Sequence, residues 1–206
     1  MFFLGLDFII SSLVWLLAIG IFVFAFRKQI KKFFYKQTSF DIFITELKKY
    51  LAKTYPKVNF SFDIIEKSKS EPNPDARKYI ILDNIIDQFM KLELDSSKYP
   101  QATPLNLQWS SYVFNCEPNR NKLPSDWQKR KQALLQRDNN LCFRCSRKLN
   151  TSTASIYMLR SLEQNGKYNL ENLVPVCKDC EKILNKDSKK LGHLNIKDEL
   201  YQLVEN

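Results

Sequence analysis

Four cysteines form the clearest chemical pattern in this sequence. Cys142 and Cys145 make one Cys-x-x-Cys pair, and Cys177 and Cys180 make a second. Each pair bends the chain tightly enough to aim two thiolates at one ion, and two pairs complete a closed tetrahedral Zn²⁺ site. We therefore predict a structural zinc site whose occupancy contributes to folding. The alternatives are four unligated buried thiols and an iron ion in the same geometry.

Two other residues with reactive side chains stand apart from these pairs. Cys116 lies alone in "VFNCEP", and His193, the one histidine of the chain, lies in "KKLGHLNIKDELYQ" after the second pair. Histidine is the usual side chain for general-base work near neutral pH. Because His193 follows the cysteine region, near a predicted final helix, we interpret it as a surface or packed residue.

A predicted helix leads into the first cysteine pair. The segment "LPSDWQKRKQALLQRDNN" has Ser125 as an N-cap and Gln128 three residues later, the pattern of a capping box. Trp127, Leu134 and Leu135 share one face at the spacing of a packed helix. This helix is expected to hold the cysteine region from one side.

Two ordered phrases around the cysteines resemble a known family. "DWQKRKQALLQRDNNLCFRC", followed by "NGKYNLENLVPVCKDCEK", is similar to the HNH endonucleases, in their subgroup with four zinc-binding cysteines. The resemblance covers residues 124–185. It implies a ββα-metal hairpin and helix stapled by zinc, and hydrolysis of phosphodiesters with one catalytic divalent ion, Mg²⁺ or Mn²⁺.

The resemblance assigns four further positions. Asn172 matches the family's central asparagine, which orients the site. Met158 stands where the general-base histidine is expected, and Tyr157 stands where the preceding metal ligand is expected. Glu181 follows the last cysteine, where the family has a histidine or asparagine that completes the metal site.

These replacements remove chemistry that the family needs. A thioether such as that of Met158 cannot accept a proton, and a phenol such as that of Tyr157 is a poor base and a poor ligand for a hard metal. A carboxylate at Glu181 suits Mg²⁺ or Mn²⁺. Since a general base contributes about 10²–10⁴-fold, we predict a weak or inactive nuclease, a pseudoenzyme. The alternative is an active HNH endonuclease that uses Glu181, Asn172 and another base to cut DNA.

The chain is basic, with a formal net charge of +10. Such an excess fits an anionic partner, either DNA or RNA or an anionic membrane surface, and it also serves solubility. The basic residues that give the cysteine region its charge include Lys129, Arg130, Lys131, Arg137, Arg144, Arg147, Lys148 and Arg160. Phosphate contacts need such charges in a fixed geometry and do not need a catalytic base.

The N-terminal segment predicts a membrane anchor. Residues 8–26 carry no charge, which is about the length required to cross a hydrocarbon core of roughly 30 Å. We therefore predict a transmembrane helix over residues 1–26 and a basic juxtamembrane linker over residues 27–38. The positive-inside rule then places the N-terminus outside, the bulk of the chain in the cytoplasm and the lipid bilayer among its partners. A cleaved signal peptide and a buried core helix are the alternatives.

The middle of the chain predicts a small α+β module or spacer over residues 39–110. "SFDIFITELKKYLAK" has helical spacing with Ser39 as an N-cap, and "VNFSFDI" alternates like a half-buried strand. "KYIILDNIIDQFMKLEL" is either one helix or a short strand that runs into a helix. The predicted fold class is thus α+β, with a transmembrane helix, this module and a zinc-stapled HNH-like domain over residues 111–206.

The functional prediction combines these parts. We expect a membrane-anchored HNH-like zinc protein that binds nucleic acid or a protein at the cytoplasmic face. A structural or assembly subunit of a membrane complex is a further alternative. An electron-transfer protein similar to rubredoxin, with iron at the four cysteines, is less compatible, because "CFRCS" and "CKDCE" lack the glycine and proline usual around such sites.

Overall fold

The computed structural model describes residues 3–95, 97, 99–100, 102–103, 105–114, 116, 123–186 and 193–205. Within these residues the chain is mainly helical, with one two-stranded sheet. The helices are α1 (Phe3–Thr54), α2 (Asp63–Lys67), α3 (Pro74–Lys91), α4 (Trp127–Arg137), α5 (Lys178–Leu184) and α6 (Asn195–Glu205), and the strands are β1 (Ala154–Met158) and β2 (Leu173–Cys177).

The chain divides into two compact units between Thr45 and Glu46. The first unit contains most of α1, and the second contains the end of α1 together with all the other elements. The cysteines and every residue of the HNH-like region belong to the second unit.

The N-terminal helix corrects the prediction of a membrane anchor. In the part of the chain that the structure describes, no helix is long and apolar enough to cross a membrane. The uncharged run at residues 8–26 is not a helix of its own, since α1 continues without a break through the basic residues 27–38 to Thr54. The predicted transmembrane helix over residues 1–26 and the single-pass membrane localisation are therefore wrong.

The middle segment corrects a second prediction. Residues 58–62 form no strand, and the predicted alternation leads instead into the short helix α2. The backbone of Ser61 is satisfied by a side chain of α3: its N–H donates to Gln88 Oε1 at 2.8 Å, and its carbonyl accepts from Gln88 Nε2 at 2.9 Å. The alternating segment therefore has no partner strand, and the regular secondary structure of residues 39–95 consists of helices joined by irregular segments.

Helix α3 is in contact with both α2 and α6. It begins at Pro74, after Asn73, whose side chain accepts a hydrogen bond from the Asp75 N–H at 3.0 Å, so that proline and cap both favour this start. Its buried face consists of Ile81, Leu82, Ile85, Ile86 and Phe89. The 3.6-residue period of these positions makes the segment one helix rather than a strand followed by a helix.

The last helix packs on α3. Helices α3 and α6 are in contact, and Tyr201 Oη donates a hydrogen bond to Asp83 Oδ1 at 2.6 Å. Ile196 and Leu200 of α6 are fully buried, as is Leu194 just before it. The amphipathic pattern of α6 is thus explained by this contact.

The two strands pair antiparallel, with Ala154 opposite Cys177 and Met158 opposite Leu173. Every residue of β2 is buried, because the sheet is in contact with both α4 and α5. An apolar cluster, which we call the hairpin core, fills the space beside α4. It consists of Ala133, Leu134, Tyr168, Leu170 and Leu173, with partly buried neighbours that include Trp127, Ile156 and Met158.

Helix α4 begins differently from the prediction. Its N-cap is Asp126, no side chain caps its first turn, and Ser125 lies before it. The Asp126 carboxylate accepts instead from the Arg130 guanidinium, with an Nε–Oδ1 distance of 2.8 Å.

The predicted fold class, α+β with a transmembrane helix, is wrong. The described residues form a mixed fold that is largely helical with one two-stranded sheet, and none of their helices is long and apolar enough to cross a membrane.

Candidate metal centre

The four cysteines come together as predicted. The sulfur atoms of Cys142, Cys145, Cys177 and Cys180 lie within 4.8 Å of one another, and each of the four residues is at most 6% exposed. Among the described residues, they are the one group of three or more His, Cys, Asp or Glu side chains positioned to share an ion. The chain therefore contains a four-cysteine cluster that is able to bind a metal.

The spacing of the sulfurs fits Zn²⁺. Ligands on a tetrahedral ion with Zn–S bonds of about 2.3 Å are separated by about 3.8 Å. Cys145 Sγ and Cys177 Sγ are 3.8 Å apart, and no pair of these cysteines forms a disulfide. Four soft thiolates without an oxygen ligand are typical of a closed structural site, in which Zn²⁺ would cross-link the chain and hold no reactive water.

Backbone hydrogen bonds shape both pairs. The Ser146 N–H donates to the Cys142 carbonyl at 2.8 Å, which closes the first turn, and Ser146 has a left-handed φ of 61°. In the second pair, β2 ends at Cys177 and α5 begins directly after it. The Cys180 N–H donates to Cys177 Sγ at 3.5 Å, and the Cys177 N–H donates to Cys142 Sγ at 3.3 Å. Main-chain donors thus support the sulfurs.

The thiols influence one another's protonation. Hydrogen bonds from the other three cysteines hold the pKa of Cys142 far below its ordinary value. Hydrogen bonds to neighbouring sulfurs, together with burial, raise the pKa of Cys145 and Cys180. The metal-free cluster therefore does not hold four thiolates at neutral pH, and binding of Zn²⁺ releases protons.

Sequence analysis missed two residues inside the pairs, Arg144 and Asp179. Both side chains are buried, at 7% and 1% exposed, and both make hydrogen bonds to distant backbone. Arg144 was counted only as one basic residue of the region, and Asp179 was not singled out. One signal in the sequence could have indicated them: each charged residue lies between two cysteines that a closed metal site would bury, so the charged side chain would need a buried partner.

The positions assigned by the HNH resemblance are not all brought together. Met158 packs against the hairpin core. Ser155 and Tyr157 lie on the other face of β1, because successive residues of a strand point to opposite faces. Glu181 belongs to this other face, where its Oε2 accepts from Ser155 Oγ at 2.6 Å. The expected base position and the expected carboxylate ligand are thus separated by the strand.

Asn172 holds the connection between the two strands. Its Oδ1 accepts from the Arg160 N–H at 2.7 Å, and its Nδ2 donates to the carbonyls of Arg160 and Lys167, both at 2.9 Å. Gly166 lies so close that an added Cβ would be 1.9 Å from the Arg160 carbonyl oxygen. The loop between β1 and β2 is therefore tightly closed on itself.

An open pocket of about 480 Å³ lies along this loop. Its walls include Tyr99, Arg160, Lys167 and Asn172, and one acidic residue, Glu171. The two Glu171 oxygens accept from the Thr103 N–H at 3.0 Å and from Asn169 Nδ2 at 2.9 Å. Although burial raises the pKa of Glu171, these hydrogen bonds lower it overall, so the carboxylate stays ionised with both oxygens engaged.

Four of the eight basic residues named above form hydrogen bonds or ion pairs with other residues of the protein. Arg130 and Arg137 donate to backbone carbonyls and pair with Asp126 and Asp138, and Arg144 is buried. Arg147 pairs with Glu199. Of these eight residues, Lys129, Lys131, Lys148 and Arg160 remain at least partly exposed without a described ion pair, so the predicted basic character is reduced at the surface.

His193 and Cys116 join no cluster of metal-binding side chains within the described residues. His193 is exposed, and Cys116 is a half-buried free thiol.

No protein-family model, no curated protein and no solved structure matches this chain. The similarity to HNH endonucleases therefore rests on the sequence phrases around the cysteines.

Proposed function

We propose that this chain is a non-catalytic, zinc-stapled relative of the HNH endonucleases that binds the phosphate backbone of nucleic acid. One observation carries the proposal: Met158, at the base position that the resemblance assigns, packs against the hairpin core, while the four cysteines expected to hold such a fold together lie close to one another. In this proposal the chain retains the zinc-stapled fold and its binding contacts and lacks the hydrolytic activity.

The absence of catalysis follows from the surroundings of Met158 and Glu181. A water nucleophile needs a base with a free lone pair, and Met158 supplies none in an apolar cluster. Glu181 is hydrogen-bonded to Ser155, and it belongs to no group of three or more metal-binding side chains in the described part of the chain. A single carboxylate is a weak site for Mg²⁺, which prefers several oxygen ligands.

Binding to phosphates is supported by the loop that Asn172 closes. Arg160 is exposed and Lys167 is half-buried, and both line the open pocket. Neither side chain forms an ion pair with a described residue, unlike Arg130 or Arg137. Because Asn172 is hydrogen-bonded to the backbone of both residues, the two positions from which these side chains extend are held at a set spacing before a ligand arrives.

A binding experiment with matched charge removal tests this proposal. The zinc-loaded full chain is titrated into fluorescein-labelled single-stranded and duplex oligonucleotides, and anisotropy is followed at several salt concentrations. Arg160→Gln/Lys167→Gln is compared with Lys129→Gln/Lys148→Gln, which removes the same charge elsewhere. We expect the loop variant to bind about tenfold or more weakly. We also expect the slope of log affinity against log salt concentration to decrease by the equivalent of roughly one to two phosphate contacts.

Two results would contradict it. If both double variants weaken binding equally, the charge acts diffusely and the loop is not the binding site. If the wild-type chain binds neither oligonucleotide, nucleic acid is not its ligand, and a protein partner remains as the alternative.

A plasmid-nicking assay tests the absence of catalysis. We expect the zinc-loaded chain to leave supercoiled plasmid intact in Mg²⁺ or Mn²⁺. Nicking that disappears in Glu181→Ala would instead establish an active endonuclease. Nicking by Tyr157→Asp/Met158→His, with an inert wild type, would support the family relationship and identify these two positions as the cause of inactivity.

A further inference from the structure

Arg144 joins the first cysteine pair to the end of helix α3. Its guanidinium donates to the carbonyls of Phe89 at 2.7 Å, Met90 at 3.1 Å and Leu92 at 2.6 Å. The same guanidinium donates through Nη1 to Cys180 Sγ at 3.4 Å. One buried cation thus bridges a metal-binding sulfur and the carbonyls at the negative end of an 18-residue helix.

Asp179 joins the second cysteine pair to the start of helix α6. Its Oδ1 accepts from the Asn195 N–H at 2.9 Å, and its Oδ2 accepts from the Ile196 N–H at 3.0 Å. These are first-turn donors of the helix, which have no partner within it. A carboxylate that lies between two cysteines therefore caps the positive end of α6.

The two contacts are complementary. Arg144, within the first pair, carries the positive charge that is favourable at a helix C-terminus. Asp179, within the second pair, carries the negative charge that is favourable at a helix N-terminus. The two helices concerned, α3 and α6, pack on each other. A single ion that fixes both cysteine pairs would therefore fix the two helix ends at the same time.

We infer that metal loading at the four cysteines governs the docking of helices α3 and α6, through Arg144 and Asp179. The inference rests on the metal binding of the proposed function and is independent of nucleic-acid binding. Cys180, one of the four cysteines that would hold the ion, accepts a hydrogen bond from the same Arg144 guanidinium that donates to the last carbonyls of α3. Without the ion, the pairs are free to separate, and the buried guanidinium and carboxylate lose their fixed positions.

Hydrogen exchange on the full chain tests the inference. Zinc content is measured first by elemental analysis, and exchange is then compared between the zinc-loaded chain and the chain after chelation. We expect amides at the end of α3 and the start of α6 to exchange at least about tenfold faster without metal, because opening removes the Asp179 acceptor of the first α6 amides and the Arg144 donor that holds the last carbonyls of α3.

Single variants separate this coupling from general unfolding. Zinc-loaded Arg144→Gln is expected to lose protection at the end of α3, and zinc-loaded Asp179→Asn at the start of α6. Both are expected to bind zinc about tenfold or more weakly, because coupling between sites is reciprocal. Arg137→Gln is the matched control: Arg137 also donates to backbone carbonyls, at Leu170 and Leu173, but touches no cysteine.

The possible failures are distinguishable. A wild-type chain that binds no zinc would overturn the metal centre itself. A chain that binds zinc, yet keeps full protection of both helix ends after chelation, would overturn the coupling alone. Equal loss of zinc affinity in Arg137→Gln and Arg144→Gln would also overturn it, since the effect would then reflect stability in general.

Discussion

At the scale of single residues, buried arginines do much of the organising in this protein. Arg130, Arg137 and Arg144 each donate to backbone carbonyls far along the chain. A guanidinium carries five donors in a planar fork and remains charged when buried, so it can satisfy several carbonyls at once. Counting basic residues from the sequence overestimated the surface charge, because burial of an arginine depends on partners that the local sequence does not specify.

Arg130 offers a direct test of this role. It is 1% exposed, pairs with Asp126, and donates to the Tyr168 carbonyl at 2.7 Å. We expect Arg130→Ala to lower the free energy of unfolding by about 3 kcal/mol, since a carboxylate and two carbonyls lose their donor. Urea denaturation of the zinc-loaded chain measures this. Lys129→Ala, at the exposed neighbouring position, is expected to stay close to wild type.

Asn172 gives a second prediction at this scale. In Asn172→Asp the amide that donates to Arg160 and Lys167 becomes an oxygen that faces two carbonyls. We expect a loss of about 2 kcal/mol in unfolding free energy and a loss of nucleic-acid binding, because the loop opens. Asn185→Asp, at an exposed position, introduces the same charge and controls for it. An unchanged unfolding midpoint in Asn172→Asp would show that the loop does not depend on this amide.

At the scale of elements, periodicity predicted helices better than strands. Helical spacing at Phe40, Phe43, Leu47 and Leu51 was correct, and all four are buried. The predicted cap at Ser39 was wrong, because α1 is already helical there. The predicted strand at residues 58–64 failed for a different reason: an alternating pattern indicates one buried face, whereas a strand also requires a partner, which only the tertiary fold can provide.

The loop between β1 and β2 gives a prediction about glycine. A Cβ at Gly166 would be 1.9 Å from the Arg160 carbonyl oxygen, a backbone atom that cannot move away without opening the loop. We expect Gly166→Ala to lower the unfolding free energy by about 2 kcal/mol or more. Gly20 in α1 has no atom within 4 Å of such a Cβ, so Gly20→Ala is expected to be neutral or stabilising. Thermal unfolding of both variants makes the comparison.

The contact between α3 and α6 predicts a dependence on alkaline pH. The hydrogen bond to Asp83, with burial, raises the pKa of Tyr201 to about 12. A raised pKa means that the neutral phenol is favoured in the folded state. Its contribution to stability is therefore complete below the unfolded pKa of about 10 and is lost as pH rises through the folded value.

Tyr201→Phe is expected to be less stable than wild type at pH 8, with a difference that shrinks above pH of about 10. Chemical denaturation across this range measures it. Tyr79→Phe is the control. The ring of Tyr79 contacts the ring of Tyr201, but the hydrogen bond to Asp83 is donated by the Tyr201 hydroxyl and is retained in this variant. A difference that stays constant with pH would contradict the assignment.

At the scale of the whole molecule, the metal centre was predictable and its surroundings were not. Two Cys-x-x-Cys pairs specify their own geometry, so the cluster followed from local spacing. Arg144 reaches Phe89 and Asp179 reaches Ile196, and neither contact has a local pattern. The packing of Met158 against the hairpin core was not predictable from local spacing either, since the sequence resemblance only assigned this residue to an expected base position.

Zinc affinity should depend on pH in a defined direction. Burial and hydrogen bonds raise the pKa of Cys145 and Cys180, so their protons must leave when Zn²⁺ binds. We expect affinity to fall steadily as pH is lowered below neutral, and protons to be released on binding. Competition with a chromophoric chelator, together with calorimetry in buffers of different ionisation enthalpy, measures both. Affinity that is independent of pH would contradict binding through thiolates.

The position of the two cysteine pairs has a consequence for the connectivity of the chain. Residues 146–176 run between the pairs, and the exposed turn at Ser161–Asn165 is part of this segment. A protease that cuts there would cleave the polypeptide, but the two fragments would stay together, because the ion would join the two cysteine pairs as a disulfide would. The nicked protein should elute as one species in zinc and as two fragments after chelation under denaturing conditions, so the metal would serve as a reversible cross-link.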